Sequence, residues 1–155
     1  LPRSAFLLLQ VIETLPQRME EHVTNAKSVA KWLAKDARVA WVKYAGLDSH
    51  PDSALAKRYL PKGPGAVFSF GVKGGRSASE KFINSLTLAS HLANIGDART
   101  LVIHPASTTH RQLSMEQLEA AGIPSDLVRI SVGLEDLDDI LWDLDQALKK
   151  ATESA

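Results

Sequence analysis

"LVRISVGLEDLDDILWDLDQALKK", residues 127–150, switches its hydrophobic period from two to between three and four around one glycine. Val128, Ile130 and Val132 alternate, which places them on one face of a strand and leaves Arg129, Ser131 and Gly133 on the other. Past Gly133, Leu137, Ile140, Leu141, Leu144 and Leu148 recur at helical steps and form a single apolar stripe. Glu135, Asp136, Asp138 and Asp139 crowd the start of that helix, and Lys149 and Lys150 its end. This distribution complements the helix dipole, so the acids need no acid–base role to explain them. A strand running directly into an amphipathic helix means that sheet and helix share one core, with the helix packed on one face.

The rest of the chain repeats this grammar. Residues 4–14, "SAFLLLQVIET", read as an apolar helix, and Pro16 opens a longer one whose stripe is Met19, Val23, Ala26, Ala30 and Leu33. "VAWVKY" at 39–44 and residues 66–72 between glycine-rich turns read as strands, and "ALAKRYL" as a helical turn stopped by Pro61. "SASEKFINSL" carries a capping-box spacing, Ser77 with Glu80, and a second box pairs Ser114 with Gln117. "TLVIHPA" at 100–106 is a fourth strand. The expected fold is mixed α/β (α+β): one domain over residues 1–155, with a small, mostly antiparallel sheet of about four strands and helices packed on one face.

Composition excludes several classes. Eighteen basic residues balance eighteen acidic ones, so no net field draws the chain to nucleic acid or an anionic membrane. With no cysteine, disulfides, thiolate catalysis and Cys-based zinc sites are impossible, in keeping with a cytoplasmic protein. The apolar run at residues 5–9 is far below the roughly 20 residues a membrane span needs. The start at Leu1 rather than Met suggests an upstream segment that has been removed.

Arg129 is the first candidate for chemistry. It reads either as a solvent-facing arginine or as a strand-mounted guanidinium that clamps a carboxylate with two parallel hydrogen bonds. His104 and His110 stand six apart around Pro105 and three hydroxyl residues, a spacing that matches no helical metal pair and offers no third ligand. His22, on a polar helix face, and His50 and His91 read as structural. There is no Gly-x-Ser-x-Gly elbow, Ser107, Thr108 and Thr109 suit a turn, and Asp97 with Arg99 suits a turn closed after Gly96. Residue patterns alone therefore give a domain without a complete active site.

The ordered stretches "LANIGDARTLVIHPASTTH" and "LVRISVGLEDLDDILWDLDQAL", with "AFLLLQVIETLPQRMEEHVTNAKSVAKWL" and "YLPKGPGAVFSFGVKGG", resemble the Cys/Met-metabolism family of pyridoxal-phosphate enzymes. That family includes cystathionine synthases and lyases, methionine γ-lyase and O-acetylhomoserine sulfhydrylase. The resemblance is greatest to the sulfhydrylase branch, since the lyases usually carry serine where Asn94 stands. It covers the family's C-terminal domain, as found in type I PLP-dependent transferases. The cofactor lysine, the aspartate that pairs the pyridine nitrogen, the stacking aromatic and the phosphate-cradling glycines have no counterpart and would lie upstream of Leu1.

The resemblance implies that Arg129 binds the α-carboxylate of an amino-acid substrate, with Asn94, the backbone of Ile95 and Thr109 beside it. It also implies a complete enzyme in which sulfide or a thiol replaces the acetate of O-acetylhomoserine, with pyridoxal phosphate held by the protein's own upstream domain in a homotetramer. The piece alone would bind no cofactor or metal and be inactive. The same-family alternatives are a cystathionine γ-synthase or a methionine γ-lyase, and a non-catalytic assembly module is the alternative outside it.

Overall fold

Leu127–Ser131 is the middle strand of the sheet, and every element that bears on function is fixed to it directly or through one neighbour. The computed structural model describes residues 3–153. In chain order they form α1 (Arg3–Glu13), α2 (Leu15–Leu33), β1 (Val39–Lys43), α3 (Ser53–Tyr59), β2 (Val67–Val72), α4 (Gly75–Ser85), β3 (Ser90–His91), β4 (Leu101–Ile103), a 3-10 turn (Pro105–Ser107), α5 (Met115–Ala120), β5 (Leu127–Ser131) and α6 (Leu137–Thr152). The strands lie in the order β1-β2-β5-β4-β3, and only the β3–β4 pair is parallel.

The alternation read in β5 sets the core. Val128 pairs with Phe70, and Ile130 with both Phe68 and Val102, so these side chains share one face. They pack in a single cluster with Ala26, Val29 and Leu33 of α2, Phe82 of α4, and Leu144 and Leu148 of α6. Phe70 and Phe82 meet edge to face, with ring centroids 5.7 Å apart, a favoured aromatic geometry.

Several local expectations are corrected. The sheet has five strands rather than four, because β3 is two residues long and leaves no periodic trace. β4 ends at Ile103, since Pro105 lacks the N–H a ladder needs and opens the 3-10 turn instead. Ser77 is not a cap: α4 begins two residues earlier, behind Gly74 at φ +104°, and Glu80 pairs with Arg76. α6 begins at Leu137, capped by Asp136, so Glu135 precedes the helix. Met19 is 40% exposed because the first turns of α2 line an open cavity with Leu15 and Lys62 rather than packing on the sheet. His22, expected on a polar face, is buried. The Ser114–Gln117 capping box forms as read.

α6 is bound to the α4–β3 connection through one buried carboxylate. Asp143 accepts from the N–H groups of Thr87, Leu88 and Ala89, from the Thr87 hydroxyl and from the Gln146 amide, at 2.8–3.0 Å. Burial opposes its ionisation, but the donors at Ala89, Thr87 and Leu88 outweigh burial and hold its pKa below the ordinary 3.8. A depressed pKa contributes stability that is present above the unfolded value and lost as pH falls through the folded one. Asp143→Asn is therefore expected to cost about 2–3 kcal/mol in urea unfolding near pH 7, with the gap to wild type closing below about pH 4. A gap of constant size from neutral to acid pH would count against a charged Asp143.

Candidate functional site

Residues facing away from the main core line up across the sheet. Lys43 pairs with Ser69, Ser69 with Arg129, and Arg129 with Ile103. Arg129 thus stands at the centre of that face, half-buried on the strand with neighbours on both sides. None of those cross-strand partners is acidic, and among the described residues no carboxylate lies within ion-pair range of its guanidinium. Among the described residues the guanidinium makes one hydrogen bond, a long one, with Nη2 donating to the Asn94 carbonyl at 3.5 Å. A planar fork of donors on a rigid mount, without an internal acid, is free to take an external carboxylate.

The loop between β3 and β4 brings Asn94 to this point. Asn94 Oδ1 accepts from the Ile95 N–H at 2.9 Å, so the side chain of Asn94 holds the Ile95 amide. Gly96 follows at φ +71°, a left-handed conformation open to glycine at little cost. Asp97 closes the turn as expected, accepting from Arg99 N at 3.0 Å and Nε at 3.4 Å. Those Arg99 donors hold the Asp97 carboxyl below the usual range. Ile95 is 69% exposed and borders a cavity of about 180 Å³ with Met19, His22, Pro64 and Ser131.

Thr109 is exposed, and its hydroxyl bonds His110 Nδ1 at 2.9 Å. Among the described residues a hydrogen bond joins Arg129 to Asn94, and none joins Thr109 to either. His104 is buried with both ring nitrogens occupied. Nε2 donates to the Ser125 carbonyl at 2.8 Å, which leaves Nδ1 as acceptor for the Ser107 hydroxyl at 2.8 Å. It braces the segment after β4. Among the described residues, no three His, Cys, Asp or Glu side chains gather as a metal site, and no helix is long and apolar enough to cross a membrane.

Three polar residues of weight were not singled out in the sequence for what they do here. Glu135 reads in sequence as one more acid at a helix start, yet its carboxylate accepts from the Thr100 N–H at 2.6 Å and the Thr100 hydroxyl at 2.8 Å. Asn25 donates from Nδ2 to the carbonyls of Gly133 and Glu135. His22 Nδ1 donates to the Val132 carbonyl at 2.7 Å. A signal existed for two of them, because His22 and Asn25 flank Val23 and Ala26 in the apolar stripe of α2, where an unsatisfied polar group would be costly.

Residues 1–149 match the family described as Cys/Met metabolism PLP-dependent enzyme. The chain belongs to that family. Relatives include a homocysteine synthase of Schizosaccharomyces pombe, 56% identical over 97% of this chain, and O-acetyl-L-homoserine sulfhydrylase 1 of Thermus thermophilus, 50% identical over 95%. In both, the chain spans 35% of the relative's length. A crystal structure from Campylobacter jejuni, of a protein assigned as an O-acetylhomoserine (thiol)-lyase and carrying N'-pyridoxyl-lysine-5'-monophosphate, superimposes with a TM-score of 0.88. It is 40% identical, and the match covers 96% of this chain and 35% of that one. The mixed α/β architecture expected from the sequence is the fold of that relative.

The family depends on pyridoxal phosphate. Every lysine among the described residues is solvent-exposed, and none is buried in a cavity where a covalent link to an aldehyde would be shielded from water. These residues do not by themselves fit that group.

The bracing role of His104 carries a prediction. His104→Ala removes a buried ring and two hydrogen bonds and is expected to cost about 2–4 kcal/mol in urea unfolding. Added chelator should leave the melting temperature of the wild type unchanged. A chelator-dependent drop would show that the histidine holds a metal.

Proposed function

We propose that this chain is the C-terminal, substrate-recognising domain of a cytoplasmic O-acetylhomoserine sulfhydrylase. The net reaction replaces acetate at the γ-carbon of O-acetylhomoserine: the γ C–O bond breaks and acetate leaves, a C–S bond forms to sulfide or a thiol, and homocysteine or its thioether results. The observation that carries the reading is Arg129, a guanidinium on the central strand with no acid partner among the described residues, next to Asn94. The sulfhydrylase and homocysteine-synthase relatives at 50% identity and above support the branch. An L-methionine gamma-lyase of Fusobacterium nucleatum, at 44%, keeps a second reading in view, and Asn94 at the candidate site favours the first.

In this proposal the chain's own residues bind and orient. Arg129 takes both oxygens of the α-carboxylate through its parallel donors. The backbone around Asn94 and Ile95 borders the same group, and Thr109 adds a hydroxyl once the rest of the enzyme closes over the face. Fixing the carboxylate fixes the direction of the Cα–H bond, which is the part of the work that orientation can supply. Pyridoxal phosphate, held by a lysine of an upstream domain in a homotetramer, would supply the electron withdrawal and proton transfer.

Helix α1 supports the existence of that larger body. None of its residues is buried, and Phe6, Leu8, Leu9 and Ile12 are each more than half exposed. An apolar helix of this kind demands a covering surface. Residues 1–155 prepared alone are therefore expected to be inactive and to self-associate with rising concentration in sedimentation velocity. A species that stays monomeric at millimolar concentration would contradict an interface at α1.

Arg129→Ala in the complete enzyme tests the carboxylate assignment. Losing a charge-assisted contact of about 1.5–3 kcal/mol corresponds to a rise of about 10- to 150-fold in KM for the amino-acid substrate, with the KM for sulfide little changed. Equal effects on both substrates would refute the assignment.

A further inference from the structure

Arg129 and Asn94 lie on separate elements, β5 and the β3–β4 loop, and only one long hydrogen bond joins them directly. The loop runs from His91 to Arg99 over residues that are exposed except for the half-buried Asp97. Left to itself, such a loop would sample many positions relative to the guanidinium. What restrains it is a buried polar knot at its far end.

Thr100 is fully buried at the point where the loop becomes β4. Its hydroxyl donates to Glu135 and accepts from the Gly133 N–H at 2.9 Å, while its own N–H donates to the other oxygen of Glu135. Leu134 N donates to the Ala98 carbonyl at 2.7 Å, a second rung between the loop and the segment after β5. The approach is close enough to exclude a side chain, since a Cβ at Gly133 would strike the Ala98 carbonyl oxygen, the Arg99 backbone and the Glu135 carboxylate. From the other side, Asn25 holds the carbonyls of Gly133 and Glu135, and His22 holds that of Val132. The β5–α6 connection, residues 132–135, is thereby fixed to α2 and to the loop at once.

We infer that the Thr100–Glu135 pair positions the Asn94–Ile95 loop against Arg129, making these two residues determinants of amino-acid substrate recognition although neither touches the substrate. This rests on the carboxylate-clamp reading above. The chemistry fits the task. A carboxylate accepts from both an amide and a hydroxyl of one residue, which fixes that residue's backbone as well as its side chain. A threonine hydroxyl that both donates and accepts is the link by which the loop is registered to Gly133, four residues along the chain from Arg129. Displacing a recognition loop by even about 1 Å can cost on the order of 100-fold in rate.

The experiment uses the complete enzyme. Thr100→Val keeps the shape and removes the hydroxyl, Thr100→Ser keeps the hydroxyl, and Glu135→Gln keeps the length while weakening the double acceptance. Steady-state kinetics with O-acetylhomoserine and sulfide varied in turn is compared across these variants and Arg129→Ala, with melting temperature recorded for each. The expected result is a rise of about tenfold in KM for the amino-acid substrate in Thr100→Val and Glu135→Gln. The KM for sulfide should change less than twofold, and Thr100→Ser should return close to wild type. If Thr100→Val fails to fold, Glu135→Gln with Thr100→Ser decides the matter. Loss of melting temperature without a selective KM change, or equal rises for both substrates, overturns the positioning role. If Arg129→Ala raises the amino-acid KM and the knot variants do not, the inference alone fails. If Arg129→Ala leaves that KM unchanged, the carboxylate reading fails first.

Discussion

The alternation of β5 is the constraint from which the rest of the molecule follows. Val128, Ile130 and Val132 are fully buried against both flanking strands and the helical layer, so the strand cannot slip by one residue without turning Arg129 into the core. The penalty for burying an unpaired guanidinium therefore locks the register that the apolar side chains select. The same strand thus builds the core with one face and presents a fixed cation with the other. Strands on either side hold its backbone, and neither neighbour places an acid across from Arg129.

The second organising feature is polar and lies at the C-terminal end of that strand. His22 and Asn25 reach from α2 into the carbonyls of residues 132–135, while Thr100 and Glu135 close the same region from the loop side. Asp143 performs a comparable task for the α4–β3 connection, collecting the donors of Thr87, Leu88 and Ala89. These buried side chains are satisfied rather than stranded, and among the described residues no sealed side-chain nitrogen or oxygen lacks a partner. Such fully paired networks define one geometry sharply, which suits a domain whose proposed work is to hold a substrate group in place.

Much of this was legible from residues alone, for reasons that can be named. The apolar period of 128–132 and of 137–148 is long and regular, and it correctly gave β5, α6 and the direction of Arg129. The Ser114–Gln117 box and the Asp97 turn are local, so their geometry follows from a few adjacent residues. The failures share a different cause. β3 is too short for any periodicity, and Ser77 lost its capping role to a left-handed Gly74 upstream. Glu135 resembled one more acid of a helix start, because its partner Thr100 lies 35 residues away in sequence. At the candidate site, Arg129 donates one long hydrogen bond to the Asn94 carbonyl, and the Thr109 hydroxyl bonds His110.

The most direct test of the central claim is a double cycle that removes the two halves of one interaction separately and together. Binding to the complete enzyme is compared for the amino-acid substrate and for its carboxamide analogue, in wild type and in Arg129→Ala. If the guanidinium holds the α-carboxylate, replacing the carboxylate weakens binding to the wild type by about tenfold or more and has almost no further effect in Arg129→Ala. Independent, additive losses from the two changes would mean that Arg129 and the substrate carboxylate do not meet.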